Sequence, residues 1–191
     1  KNQINYCKKK AKELNLDNQV SFELADYREV EGEYDRIYSV GMFEHVGKKF
    51  YNVFFKSINK LLKNDGLFLL HTIGVVDKPT PPNKFINKYI FPGGVCPSLS
   101  QIVKPIEKTG LIVADTETLI RHYDKTLLSW LNRFMAKKDL VKDMFDEKFV
   151  KMWSFYLASC AAAFRYRDLV VFQLQIVKNF NAARPTRDYI Y

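Results

Sequence analysis

Apolar residues change their period several times along the chain, and each change predicts an element. Ile4, Cys7, Ala11 and Leu14 recur at helical spacing and predict a helix over 2–15. VSFELA, residues 20–25, and YDRIYSV, residues 34–40, alternate and predict strands. Phe50, Phe54, Ile58 and Leu61 share one face of a helix over 48–63, with Asp65-Gly66 as its stop, and LFLLHTIG follows as a buried strand. The stretch VVDKPTPPNKFINKYIFPGGVCPSLS predicts a loop longer than ordinary connections, and its Phe85, Tyr89 and Phe91 favour a functional one. A helix over 98–109 capped by Ser98 or Ser100, a strand over 111–120, a helical aromatic-rich stretch over 123–167 and a strand in DLVVFQLQIVKN complete the pattern.

Strands alternating with helices imply an α/β fold with a mostly parallel sheet covered on both faces. At 191 residues with 47% hydrophobic and 15% aromatic positions, the chain can bury one sizeable core, so one domain is expected. Cys7, Cys96 and Cys160 lie far apart without CxxC or metal-ligand spacing, which fits a reducing compartment and predicts no metal. No run approaches the roughly 20 apolar residues that span a bilayer, and KNQINYCKKKAKEL lacks the apolar core of a signal peptide. The net charge of +9 suits an anionic membrane face, acidic substrates or nucleic acid.

Ligands of such sheets bind beyond the carboxyl ends of the strands. Asp26 and Tyr27 follow VSFELA, Gly41 to His45 follow YDRIYSV, His71 lies within LFLLHTIG, and Arg121, His122 and Tyr123 follow the strand over 111–120. SVGMFEHVG, Ser39 to Gly47, is unusual for a surface loop because it wraps Glu44 and His45 in apolar residues. Glu44, His71 and Tyr123 would converge at one sheet edge. The bland alternatives are a surface ion pair for Glu44, a satisfied core imidazole for His71, a packing role for Tyr123 and loop orientation for His45. Trp130, Phe134, Phe145, Phe149, Trp153, Phe155 and Tyr156 recur at helical spacing, most simply as core, with the wall of an acyl-chain tunnel as the functional alternative.

The blocks YDRIYSVGMFEHVG, LFLLHTIG, NKYIFPGG, HYDKTLLSWLNRF and FYLASCAAAFRYRDLVVFQL, in that order, make the chain resemble the carboxyl-terminal part of the cyclopropane-fatty-acyl-phospholipid synthase and mycolic acid cyclopropane synthase family. The resemblance implies a class I, Rossmann-like methyltransferase fold using S-adenosylmethionine, with a helical insertion before the last strand. It implies that residues 75–105 and 123–167, approximately, cover the substrate. In this family an unsaturated acyl chain takes the methyl of the sulfonium, and a bound bicarbonate removes a proton to close a cyclopropane ring. Bicarbonate needs a carboxylate acceptor and neutral donors. The resemblance assigns these roles to Glu44, His71, Tyr123 and the backbone at Ile73, and cofactor binding to Gln3, Asp26 and Tyr27 near the adenine and to Ser39, Val40, Gly41 and His45 near the methionine half.

The family's GxGxG loop, the acidic residue after its second strand and a cysteine that helps hold bicarbonate have no counterpart here. The sequence therefore reads as a fragment without the amino-terminal domain and first β-α-β unit. The implied partner is a membrane phospholipid with an unsaturated acyl chain, met at the cytoplasmic, anionic inner face of the membrane; a homodimer stays open. The alternatives are a related fatty-acid or small-molecule methyltransferase and an inactive membrane-binding module. Nucleic acid, which has only the charge behind it, is not expected as a partner.

Overall fold

The computed structural model describes residues 2–78, 80, 81 and 83–189. Lys1, Pro79, Pro82, Ile190 and Tyr191 fall outside these, so the proline-rich part of the long loop is described only in part. The chain divides into two units, Lys1–Gly32 and Glu33–Tyr191.

The smaller unit holds helix α1, Asn2–Glu13. Asn15 ends it in the left-handed region at φ 55°, the Leu16 amide donating to Ala11 O at 2.8 Å and the Asn15 amide to Lys12 O at 3.1 Å. This is the Schellman closure that glycine or asparagine permits. Residues 20–25, predicted as a strand, pair with no strand among the described residues. Alternation supplies a face, but a strand also needs a neighbour for its N–H and C=O groups.

The larger unit is built on four strands: β1 Tyr34–Val40, β2 Leu62–Val75, β3 Ile112–Leu119 and β4 Leu169–Val177, in the order β1-β2-β4-β3. β1 runs parallel to β2, and β4 runs antiparallel to both β2 and β3. Three strands therefore share one direction, as the α/β pattern requires, with the last strand inserted against them.

Helix α2, Phe43–Val46, and helix α3, Tyr51–Leu61, separate β1 from β2. The predicted stop at Asp65-Gly66 is overturned: α3 ends at Leu61, and both residues lie inside β2. Tyr34 pairs with Leu62 but Arg36 with Leu67, so Lys63–Gly66 form a bulge. A Cβ on Gly66 would stand 2.7 Å from Leu62 Cδ1 and 2.9 Å from Lys63 O, which explains the glycine there.

The long loop contains α4, Lys84–Tyr89, which the pattern missed; the Asn83 side chain caps it by accepting from the Phe85 and Ile86 amides. Helix α5, Leu99–Glu107, follows, with Ser98 as its cap and Gln101 Oε1 accepting from the Ser98 amide at 3.2 Å. Helices α6, His122–Met135, α7, Lys138–Met144, and α8, Glu147–Tyr166, fill the segment before β4.

The two faces of β2 differ. Phe68, Leu70 and Thr72 are buried on the face where Phe54 of α3 meets Phe68. Leu67, Leu69, His71 and Ile73 are half-buried on the other, where Ile73 packs against the Leu127, Tyr156, Leu157, Ala161, Phe164 and Val171 cluster of α6, α8 and β4. The aromatic stripe expected to be core divides: Tyr156 is buried, Phe134 and Trp153 are partly buried and pack against the same cluster, and Trp130, Phe145 and Phe155 are exposed. No helix among the described residues is long and apolar enough to cross a membrane.

Candidate active site

The polypeptide leaves β1 through Gly41, whose φ of 67° turns it at once into α2. Its amide donates to His71 O at 3.1 Å, tying the turn to β2. Phe43 anchors α2 in the core, stacking on Tyr51 at 4.3 Å, and so fixes Glu44 beside the end of β2. Glu44 Oε1 accepts from the Ile73 amide at 2.7 Å. Glu44 Oε2 is buried with no partner among the described residues. Glu44 O accepts from the Val95 amide at 2.9 Å, joining the long loop to this corner.

His71 lies opposite Gln173 across β2 and β4, and Gln173 Nε2 is 3.0 Å from His71 Nδ1. With the amide donating, Nδ1 is the acceptor and the ring proton sits on Nε2. Burial lowers the His71 pKa below its ordinary value and Glu44 pulls it back up, so the imidazole is neutral at neutral pH. Carboxylate acceptor and neutral donor thus stand on neighbouring elements.

The surroundings favour uncharged groups. Burial pushes the Tyr51 hydroxyl up to about 12, with further upward pushes from Cys96 and Glu44; its oxygen has no partner among the described residues. Burial first, then Glu44, push the Cys96 thiol up to about 12. Tyr123 is half-buried at the start of α6, stacked on Phe164 at 5.2 Å and edge-on to Trp130 at 6.3 Å. It packs against the same apolar cluster as Ile73. His45 is exposed, its ring 6.1 Å from that of Phe91.

Of the residues assigned to the cofactor, Ser39 is buried, its hydroxyl without a partner among the described residues, and Val40 is exposed at the end of β1. Gln3, Asp26 and Tyr27 belong to the smaller unit. There Gln3 is exposed on α1, and burial raises the Tyr27 pKa. Asp26 is held in a two-pronged pair by Arg28, whose hydrogen bonds bring its pKa to about 2.

Gln173 and Tyr51 were not singled out in the sequence. A glutamine in the otherwise apolar LVVFQLQIV was the available signal for the first, and Tyr51 gave none, since its ring reads as core. An open groove of about 600 Å³, lined among others by Val76, Lys78, Ser100 and Phe172, contains none of the Glu44 and His71 group.

Residues 1–174 match the family described as mycolic acid cyclopropane synthetase. The cyclopropane-fatty-acyl-phospholipid synthase of Escherichia coli K12 is 43% identical over 155 residues, covering 81% of this chain and 40% of that protein. The tuberculostearic acid methyltransferase UfaA1 of Mycobacterium tuberculosis is 35% identical over 167 residues, covering 84% and 39%. The crystal structure of the mycolic acid cyclopropane synthase CmaA1 with SAH and CTAB superimposes with a TM-score of 0.82 at 32% identity, over 92% of this chain and 66% of that one. The chain spans about 40% of the length of these two curated relatives.

Proposed function

The chain belongs to the mycolic acid cyclopropane synthetase family, and from that premise we propose that it carries the proton-handling half of an enzyme that adds a one-carbon unit to the double bond of a phospholipid acyl chain. The observation that carries this reading is the divided carboxylate of Glu44: Oε1 is held by the Ile73 amide at 2.7 Å while Oε2 is buried without a partner among the described residues. A buried carboxylate oxygen left bare is costly, so it marks a place for an O–H donor. Bicarbonate is such a donor, and His71 Nε2–H is a neutral donor suited to its remaining oxygens.

In this reading S-adenosylmethionine supplies the one-carbon unit and bicarbonate the base when they are bound. The chain's own residues do the rest. Ile73 fixes Glu44 through its amide, Gln173 fixes the His71 tautomer, and Glu44 offsets positive charge developing on the acyl chain. Tyr123 adds a ring face and a hydroxyl, and the aromatic residues of 75–105 and 123–167 cover the acyl chain. The buried Ser39 hydroxyl fits a polar group of the cofactor's methionine half, with Val40, Gly41 and His45 following it in the chain. The protein works from the cytoplasmic face of the membrane.

The test is Glu44→Gln in the active enzyme, with acyl products read by mass spectrometry. Turnover should fall at least about 100-fold with the fold intact. Near-normal turnover refutes the role of Glu44, and a methyl-branched product in the parent refutes ring closure.

A further inference from the structure

Leu140 and Met144 of α7 and Phe145 just beyond it are 59, 67 and 60% exposed, and Met135 at the end of α6 is 42% exposed. So many large apolar side chains at one corner call for something that covers them. From Arg133 to Lys151, both included, there are six basic and four acidic residues. Glu147 pairs with both Lys142 and Lys151, and Asp146 accepts from the Phe149 amide, so the stretch keeps a net charge of +2 with Arg133, Lys137, Lys138 and Lys148 outside these pairs. The corner is therefore apolar with a basic excess. Lysine stems can lie along apolar surface while their ammonium groups reach phosphates, the arrangement of a segment resting in a membrane interface.

A line of rings links this corner to the neighbourhood of Glu44. Phe145 stacks on Phe149 at 4.4 Å, and Phe149 on Trp153 at 5.8 Å. Trp153 meets Tyr156 edge-on at 5.0 Å, Tyr156 meets Phe91 at 6.0 Å, and Phe91 meets His45, the neighbour of Glu44, at 6.1 Å. Exposure falls from 60% at Phe145 to 7% at Tyr156 and rises again to 43% at Phe91, so the line passes through the core and surfaces beside His45. A protein partner at the corner would have no use for a continuous aromatic path to the site, whereas a lipid, whose chain must leave the bilayer, would.

We propose that the corner formed by the end of α6, α7 and Phe145 is where the protein enters a lipid surface, with Leu140, Met144 and Phe145 seated at the headgroup–acyl boundary. The proposal rests on the acyl-chain reading of the site and adds where the membrane is met.

Sedimentation of the protein with phosphatidylcholine–phosphatidylglycerol vesicles at raised salt, where charge is screened, tests it. The combined Leu140→Ser, Met144→Ser and Phe145→Ser variant should partition about tenfold more weakly, because binding scales with buried apolar area. Circular dichroism checks its fold. Phe145→Trp, which keeps the surface apolar, should gain blue-shifted emission that acyl-brominated lipid quenches beyond the quenching of Trp130 and Trp153 in the parent. Unchanged partitioning of a folded triple variant, no added quenching in Phe145→Trp, or a dimer in ultracentrifugation that the triple variant dissolves would each overturn it. If the corner binds but the protein modifies no lipid, the substrate reading fails and the docking surface stands. If lipid is modified while the triple variant binds normally, only the docking surface fails.

Discussion

The two oxygens of Glu44 have different surroundings, and that difference separates a structural effect from a chemical one. Glu44→Gln keeps an oxygen to accept from Ile73, so a denaturation midpoint near that of the parent is expected beside the loss of turnover. His71→Ala should also lose activity, and added bicarbonate should restore part of it if weakened anion binding is the defect; no response to bicarbonate would place the defect elsewhere. His71 gives a pH signature as well. Burial outweighs the pull of Glu44 and sets the folded pKa below 6.5. As pH falls, the unfolded chain takes up the proton first, so the contribution of His71 to stability is present above 6.5 and is lost as pH drops from there to the folded value. An NMR titration should find the ring still mainly neutral at pH 6.5; a midpoint at or above that value contradicts this.

Among the elements, the end of β2 is the most constrained. A Cβ on Gly74 would fall 2.6 Å from Pro97 O and onto the Phe172 ring, so Gly74→Ala should cost about 1–3 kcal/mol in urea denaturation. An unchanged midpoint would mean that the strand yields. In the helical segment, Asp124 is buried and its Oδ2 accepts from Arg165 Nε at 2.8 Å across α6 and α8. Arg165→Met strips that carboxylate of its donor and should destabilise by roughly 1–3 kcal/mol. Local pattern was enough for β1, β3, β4, α1 and α5, whose period and caps lie within their own residues. It failed where a distant partner decides the outcome. VSFELA has strand alternation but pairs with no strand among the described residues, Asp65-Gly66 reads as a stop but serves a bulge, and Gln173 meets His71 only through a register set 102 positions away. Glu44 and His71 were legible because a charged or polar residue inside an apolar run asks for a chemical reason.

For the molecule as a whole, charge and cofactor grip are the quantities to measure. With a net charge of +9, binding to anionic vesicles should exceed binding to neutral ones and weaken with salt, as the screening length falls to about 8 Å at physiological ionic strength. Equal binding to both would remove the electrostatic contribution and leave the apolar corner alone. No GxGxG run occurs in the 191 residues, and such a loop lets backbone approach a cofactor closely. Calorimetry on this chain alone is therefore expected to show no saturable binding of S-adenosylmethionine at micromolar concentration. A stoichiometric isotherm would mean that another segment supplies the grip.

The position of β4 also governs when the sheet can form. Among the described residues β3 pairs only with β4, and the three helices α6 to α8 lie between Leu119 and Leu169 in the chain. During synthesis β3 leaves the ribosome long before its partner, a wait of several seconds at about 5–20 residues per second. Throughout it, a strand that cannot close its ladder must be sheltered by α5 or by a chaperone, and a ribosome stalled before Leu169 would hold a half-built sheet with β2 and β3 both lacking the strand that joins them.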